Sequence, residues 1–257
     1  MKNLSDITKL VSDFISQSPL NIVNEHGNMK IYGTPLVGIA SADDSLFEGL
    51  KGEQVVGPHH MSPQEWLPGA KSVVSVFLPY TDTVRKSNYI QGYPSTEWLY
   101  GRYEGEACNK ALRRFLEERF NDLGVNAVAP MDDPRYKIID RRSNWSERHA
   151  AFIAGLGTFS LNRSVITRKG SAGRFGSVIT DMELEATPRL YSELYEYCTM
   201  CNACIDRCPV GAITETGKDH RICHGFLDET LAKHTPRYGC GKCQTAVPCE
   251  CSIPGTI

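Results

Sequence analysis

The chain has 257 residues, 41% of them hydrophobic and 23% charged, with a formal net charge of −2. That length allows one sizeable core and a smaller second module, and the charge balance offers no cationic face for nucleic acid. No run approaches the roughly 18 apolar residues that span a bilayer, so a cytoplasmic protein without membrane contact is expected. In chain order, Ser5 caps a helix over 5–17, with Ile7, Leu10, Val11, Phe14 and Ile15 on one face. The runs PLVGIAS at 35–41 and KSVVSVFLP at 71–79 read as buried strands. A second helix is expected over 107–123, stopped by Gly124, and VNAVAP follows as a strand. A third helix, capped by Asn144 or Ser146 and ended by Gly155, leads to a strand over 175–184. Helices alternating with apolar strands indicate an α/β domain over 1–188, and residues 189–257 form a second unit.

The cysteines define that second unit. Of ten, only Cys108 precedes residue 198, a distribution that suits a metal-cluster module better than a disulfide scaffold. Cys198, Cys201, Cys204 and Cys208 form C-x2-C-x2-C-x3-C-P, in which three thiolates hold one [4Fe–4S] centre and the fourth crosses to another. Structural zinc fits less well, because its sites rest on two Cys-x-x-Cys pairs with no crossing Cys-Pro. Two [4Fe–4S] clusters are therefore expected. The partner motif supplies Cys223, Cys240 and Cys243, which join Cys208. In CGKCQTAVPCEC, Val247 and Pro248 stand where a Cys-Pro would fall, so the ligand completing the first centre is Cys249 or Cys251. Cys249 is the nearer. An extended segment after Pro248 would carry Cys251 beyond the same iron.

The segment IIDRRSNWSERHAAFIAGLG concentrates ionisable groups beside a glycine-containing turn. Asp140, Glu147 and His149 are candidate proton donors for a reduction. Arg141, Arg142 and Arg148 can hold an anionic group in bidentate fashion. Gly155 and Gly157 allow close backbone approach. In RKGSAGRFGS, Arg174 and Gly176 belong to a loop able to cradle a phosphate or the edge of a flat cofactor, although it is no Walker loop.

The crossing cluster motifs after AGLGTFSLNRSVITRKGSAGRFGSVITDMEL resemble epoxyqueuosine reductases and reductive dehalogenases. YGTPLVGIASADD, GPHH, LPGAKSV, NWSERHAAFIAGLGTF and CGKC resemble a shorter branch of the same proteins. The resemblance implies a nitroreductase-like, cobalamin-binding core followed by a bacterial-ferredoxin-like module. In that arrangement, base-off cobalamin lies against Ala154, Gly155, Leu156 and Gly157, and electrons pass from the distal cluster to the proximal one and on to cobalt. An electron donor such as ferredoxin or flavodoxin and a small-molecule substrate are implied as partners. The relatives place an Asp, followed three residues later by Pro, upstream of AGLG; here that place falls at Arg141, beside Asp140, with no Pro. The chain also lacks the relatives' helical-repeat extension, so tRNA is not expected as a substrate. The reading is a cobalamin-dependent reductase. The alternative is an electron-transfer or activator protein serving a partner's corrinoid or flavin.

Overall fold

Apolar residues at helical spacing build α1 over Leu4–Gln17 and bury Ile7, Val11 and Ile15. Its cap is Asn3 rather than Ser5, because the Asn3 side chain reaches the Asp6 amide at 2.9 Å. In this computed structural model, which describes residues 3–255, the two apolar runs become β1 (Leu36–Ser41) and β2 (Ser72–Pro79). Helix α2 runs over Thr96–Asp122, well ahead of the expected start, with Ser95 accepting from the Trp98 amide as its cap. The short β3 (Ala127–Val128), α3 (Glu147–Ile153) and β4 (Gly173–Thr180) complete the core.

The strands form one sheet in the order β1-β2-β4-β3, antiparallel at every junction. The fold is thus a mixed helix–sheet arrangement, and its alternation of helix and strand does not produce parallel crossovers. Side chains alternate across β2. Val74, Val76 and Leu78 pack with Ile7, Val11, Leu112 and Leu116 of α1 and α2. Val73 turns the other way, toward Trp66, Trp145, Ala150 and Ile153. Helices therefore cover both faces, and β2 is buried along its length until Pro79. The last expected strand stops at Thr180, short of residue 184. Beyond it the chain lies across β1, with the Thr187 amide donating to the Ile39 carbonyl at 2.8 Å.

The cysteine-rich unit holds α4 (Ala203–Asp206), a two-stranded hairpin of Ile213–Thr214 with Gly217–Lys218, and α5 (His220–His234). Its end returns to the core. The Ser171 amide donates to the Cys249 carbonyl at 2.9 Å, and the Ala172 amide to the Glu250 carbonyl at 3.1 Å. Gly170 makes this seam possible. Its φ is +74°, and a Cβ there would lie 2.2 Å from the Glu250 carbonyl oxygen and 2.3 Å from the Cys251 nitrogen. Both neighbours are backbone and cannot swing aside. Gly170→Ala is therefore expected to cost on the order of 3 kcal/mol, read as a lowered Tm of the anaerobic protein. No helix among the described residues is long and apolar enough to cross a membrane.

Candidate metal centre and active site

The fold gathers the C-terminal thiols into two groups. Cys198, Cys201, Cys204 and Cys249 line a small cavity with Leu161 and Val247. Cys208, Cys223, Cys240 and Cys243 line a much larger one. Cys208 thus turns away from its sequence neighbours, as the crossing spacing requires, and its sulfur accepts from the Ala212 amide at 3.2 Å. Cys251 lies outside both groups and is exposed. The segment before it is not extended: the Glu250 amide donates to the Val247 carbonyl at 3.0 Å, closing a turn, while Val247 is buried with Leu161, Cys204 and Ile213.

Packing thiols together makes each harder to ionise. Burial and then the neighbouring thiols Cys243, Cys249, Cys198 and Cys201 push Cys204 up to about 12. Burial pushes Cys240 up to about 12 and Cys249 up to about 11. A cationic cluster core supplies the charge that would ionise such a set, so the donors fit an iron–sulfur group. A single zinc fits less well. Sulfurs around zinc converge at about 2.3 Å, and among the described residues no three His, Cys, Asp or Glu side chains converge on an ion-sized point.

The larger cavity has a volume of about 390 Å³ and separates the second thiol group from the core. Tyr80, Trp98, Tyr136, Trp145 and Phe175 give it aromatic walls, and Arg102, Arg148, Arg174 and Lys218 give it positive charge. Glu147, the first residue of α3, is its only carboxylate among the described residues. Behind the wall, Arg113 of α2 binds Asp132 at 2.8 Å and Glu106 at 3.1 Å, and Glu106 also pairs with Arg174. This network leaves orphans. Both oxygens of Glu147, Trp98 Nε1, Arg174 Nε and Arg113 Nη1 are buried without a hydrogen-bond partner. Burial raises the Glu147 carboxyl to about 7 even though Arg113 pulls it down. Arg148 is walled in by protein, yet its side chain remains in contact with the cavity's solvent.

Several sequence candidates fall elsewhere. Asp140 and Arg141 form the tip of an exposed hairpin, Ile138–Ile139 with Arg142–Ser143, and take φ of +47° and +64°. A two-residue hairpin turn demands such left-handed pairs, so these residues serve the turn, away from the cavity. Arg142 Nη1 is spent on the Glu53 carbonyl at 2.9 Å. His149 bonds Ser146 through Nδ1 at 2.7 Å and packs on Phe159, and burial lowers it to about 4. Neither residue lines the cavity. Ala154–Gly157 are likewise outside it. Gly155 ends α3 at φ +77°, and a Cβ on Gly157 would lie 1.9 Å from the Ile166 carbonyl, so AGLG permits close packing of chain on chain. Gly176 faces Asn109 of α2, whereas its neighbour Arg174 does reach the cavity. Sequence reasoning missed Lys218, Arg102 and the Glu106–Arg113–Asp132 network. The available signal was polar Asn109 and Arg113 on a helix face otherwise apolar.

These features define an iron–sulfur protein with a cofactor-sized cavity beside its thiols, and residues 194–214 match the family model described as a 4Fe-4S binding domain. The chain is similar to the epoxyqueuosine reductase of Bacillus cereus, 26% identical over 249 residues, covering 85% of this chain and 62% of that protein. The resemblance read in the sequence is thereby borne out. Among solved structures, an epoxyqueuosine reductase with an epoxyqueuosine-modified tRNA-Tyr stem loop has a TM-score of 0.54 at 19% identity, covering 96% of this chain and 66% of that one. A reductive dehalogenase, described as suggesting a mechanism for B12-dependent dehalogenation, has a TM-score of 0.58 at 14% identity, covering 86% and 30%. The expectation that tRNA is no partner is overturned: the curated relatives are epoxyqueuosine reductases, and one structural neighbour is an epoxyqueuosine reductase with a tRNA stem loop.

Proposed function

We propose that this protein is an iron–sulfur reductase. Two [4Fe–4S] clusters, one on Cys198, Cys201, Cys204 and Cys249 and one on Cys208, Cys223, Cys240 and Cys243, deliver electrons from a reduced ferredoxin or flavodoxin to the cavity. In this reading residues 1–188 bind cofactor and substrate, and residues 189–257 carry the clusters. The observation that carries the reading is a cavity of about 390 Å³ that adjoins a thiol quartet and combines aromatic walls with Arg102, Arg148, Arg174 and Lys218. Such a lining suits a large, flat, partly anionic molecule.

Base-off cobalamin fits that description, with its flat apolar ring, polar amide rim and phosphate. When bound, it supplies low-potential reduction of an electrophilic substrate. Arg102, Arg148 and Arg174 would hold its anionic and amide oxygens, and Phe175 and Trp98 its apolar surface. Glu147 would keep a proton at its carboxyl oxygen for the reduced product. The similarity to epoxyqueuosine reductases makes an epoxyqueuosine-bearing tRNA stem loop the first substrate to assay.

Anaerobically reconstituted protein is expected to carry about eight irons and eight sulfides per chain and to bind cob(II)alamin with a base-off EPR spectrum. Four irons, or zinc, would remove the two-cluster reading. Eight irons without corrinoid binding at micromolar concentration would favour an electron-transfer or activator protein instead.

A further inference from the structure

We propose that Arg148, Lys218 and Lys242 give the Cys208–Cys223–Cys240–Cys243 cluster the higher reduction potential of the two, so that an electron entering at the Cys198 quartet runs downhill toward the cavity. The proposal rests on the two-cluster reading.

A cubane held by four thiolates gains one negative charge when [4Fe–4S]2+ takes an electron from the donor and becomes [4Fe–4S]+. A nearby fixed cation therefore stabilises the reduced form more than the oxidised one, and sulfur hydrogen bonds act in the same direction. The surroundings of the two quartets differ in both respects. Arg148 and Lys218 line the cavity with the second quartet, and each interacts electrostatically with Cys243 and Cys223. The Ala212 amide donates to the Cys208 sulfur at 3.2 Å. Lys242, between Cys240 and Cys243 in sequence, is fully buried, and its ammonium donates to Asn88 Oδ1 at 2.9 Å and to the carbonyls of Asn88 at 3.1 Å and Ile90 at 2.7 Å. Those acceptors are all neutral. Among the described ion pairs none includes Arg148, Lys218 or Lys242. Of the three only Lys242 is fully buried, where a cation without a counter-charge is costly and an anionic cluster beside it would supply one; Arg148 and Lys218 face the same quartet across the cavity.

The first quartet has no such company. Among the described residues its cavity is lined by Ser160, Leu161, Asn162, Met200, Asn202 and Val247, without a cation. The charge that approaches it is negative, since Asn202 Nδ2 holds the Glu215 carboxylate at 3.4 Å. A hydroxyl contact to its sulfur, Ser171 Oγ to Cys249 Sγ, is long at 3.8 Å. Charge and hydrogen bonding therefore favour the electron at the second quartet. The first is also the more accessible to a donor, because Cys201 and Met200 are exposed.

Potentiometric titration followed by EPR tests this on the reconstituted full chain, with the signal lost in Cys204→Ser assigned to the first quartet. Wild-type protein should show two midpoint potentials, the second quartet's being the more positive. Lys218→Met should shift that potential negative and leave the first in place, at unchanged iron content, and Lys218→Arg should restore it. Arg148→Met provides the same readout if Lys218→Met fails to load iron. The proposal is overturned if the Cys198 quartet proves the more positive, or if the methionine variants move both potentials equally or neither. Fewer than about eight irons in the wild type strikes the two-cluster reading itself, whereas a full complement with the wrong order strikes only this inference.

Discussion

Cys249→Ser is expected to strip or convert one cluster to a three-iron form, while Cys251→Ser keeps the full complement of iron. The two residues stand two apart, so spacing alone does not choose between them. The turn closed by the Glu250 amide on the Val247 carbonyl, at 3.0 Å, decides it. The turn seats Val247 in the apolar centre of the module with Cys204 and aims Cys249 into the cavity shared with Cys198, Cys201 and Cys204. Cys251 emerges exposed on the far side of Glu250. Serine oxygen is a poor substitute for thiolate toward iron, so the corner bound to residue 249 is the one to dissociate. Iron analysis with EPR of both variants checks this, and a three-iron signal from Cys251→Ser would move the ligand there.

Glu147→Gln is expected to lower the reduction rate by about 10²- to 10⁴-fold, the range that a positioned general acid contributes. The alkaline limb of the pH profile should disappear with it. Burial raises this carboxyl to about 7, so it keeps its proton below that pH and loses it above. A reaction drawing on the proton falls as pH rises through 7. Asp140→Asn should leave rate and profile nearly unchanged, because Asp140 sits on the exposed hairpin tip. Infrared spectroscopy offers a check independent of turnover: a protonated-carboxyl band that fades as pH passes 7 in the wild type and is missing from Glu147→Gln. If Asp140→Asn abolished the activity instead, the hairpin would have to carry the acid into the cavity.

What the sequence revealed follows the range of the interaction. Helix α1, strands β1 and β2 and the cysteine spacing are local patterns, and each appears close to where periodicity or spacing put it. Helix α2 was read too short because the apolar spacing that marks it begins near Leu112, while its first turns carry Gly101 and Gly105. In the fold they sit where Val84 and the Tyr32 hydroxyl press against the helix, within 2.8 and 2.5 Å of any added Cβ. The charge cluster around residue 140 misled for a related reason. Its density suggested chemistry, but the Asp140–Arg141 pair answers a hairpin's demand for left-handed residues. Lys218 and Arg148, seventy positions apart in sequence, share one cavity only through the packing of the two units. Nothing in either neighbourhood announces the other.

The seam at Gly170 bears on how portable the cysteine-rich unit is. Glu250 is only 4% exposed, and its carboxylate meets Arg85, the Tyr89 hydroxyl at 3.2 Å and the Ala246 amide at 2.7 Å. Arg85 and Tyr89 belong to the core, as do the Ser171 and Ala172 amides that the same segment satisfies. A ferredoxin-like cassette joined by a flexible tether could be exchanged between proteins without loss. Here the peptide that delivers the last thiolate also accepts hydrogen bonds from core backbone amides and is a buried ion-pair partner of the core. Excision would break the buried Arg85–Glu250 ion pair and leave the Ser171 and Ala172 amides without partners. Grafting this unit onto another scaffold would thus require its docking surface to be carried along with its cysteines.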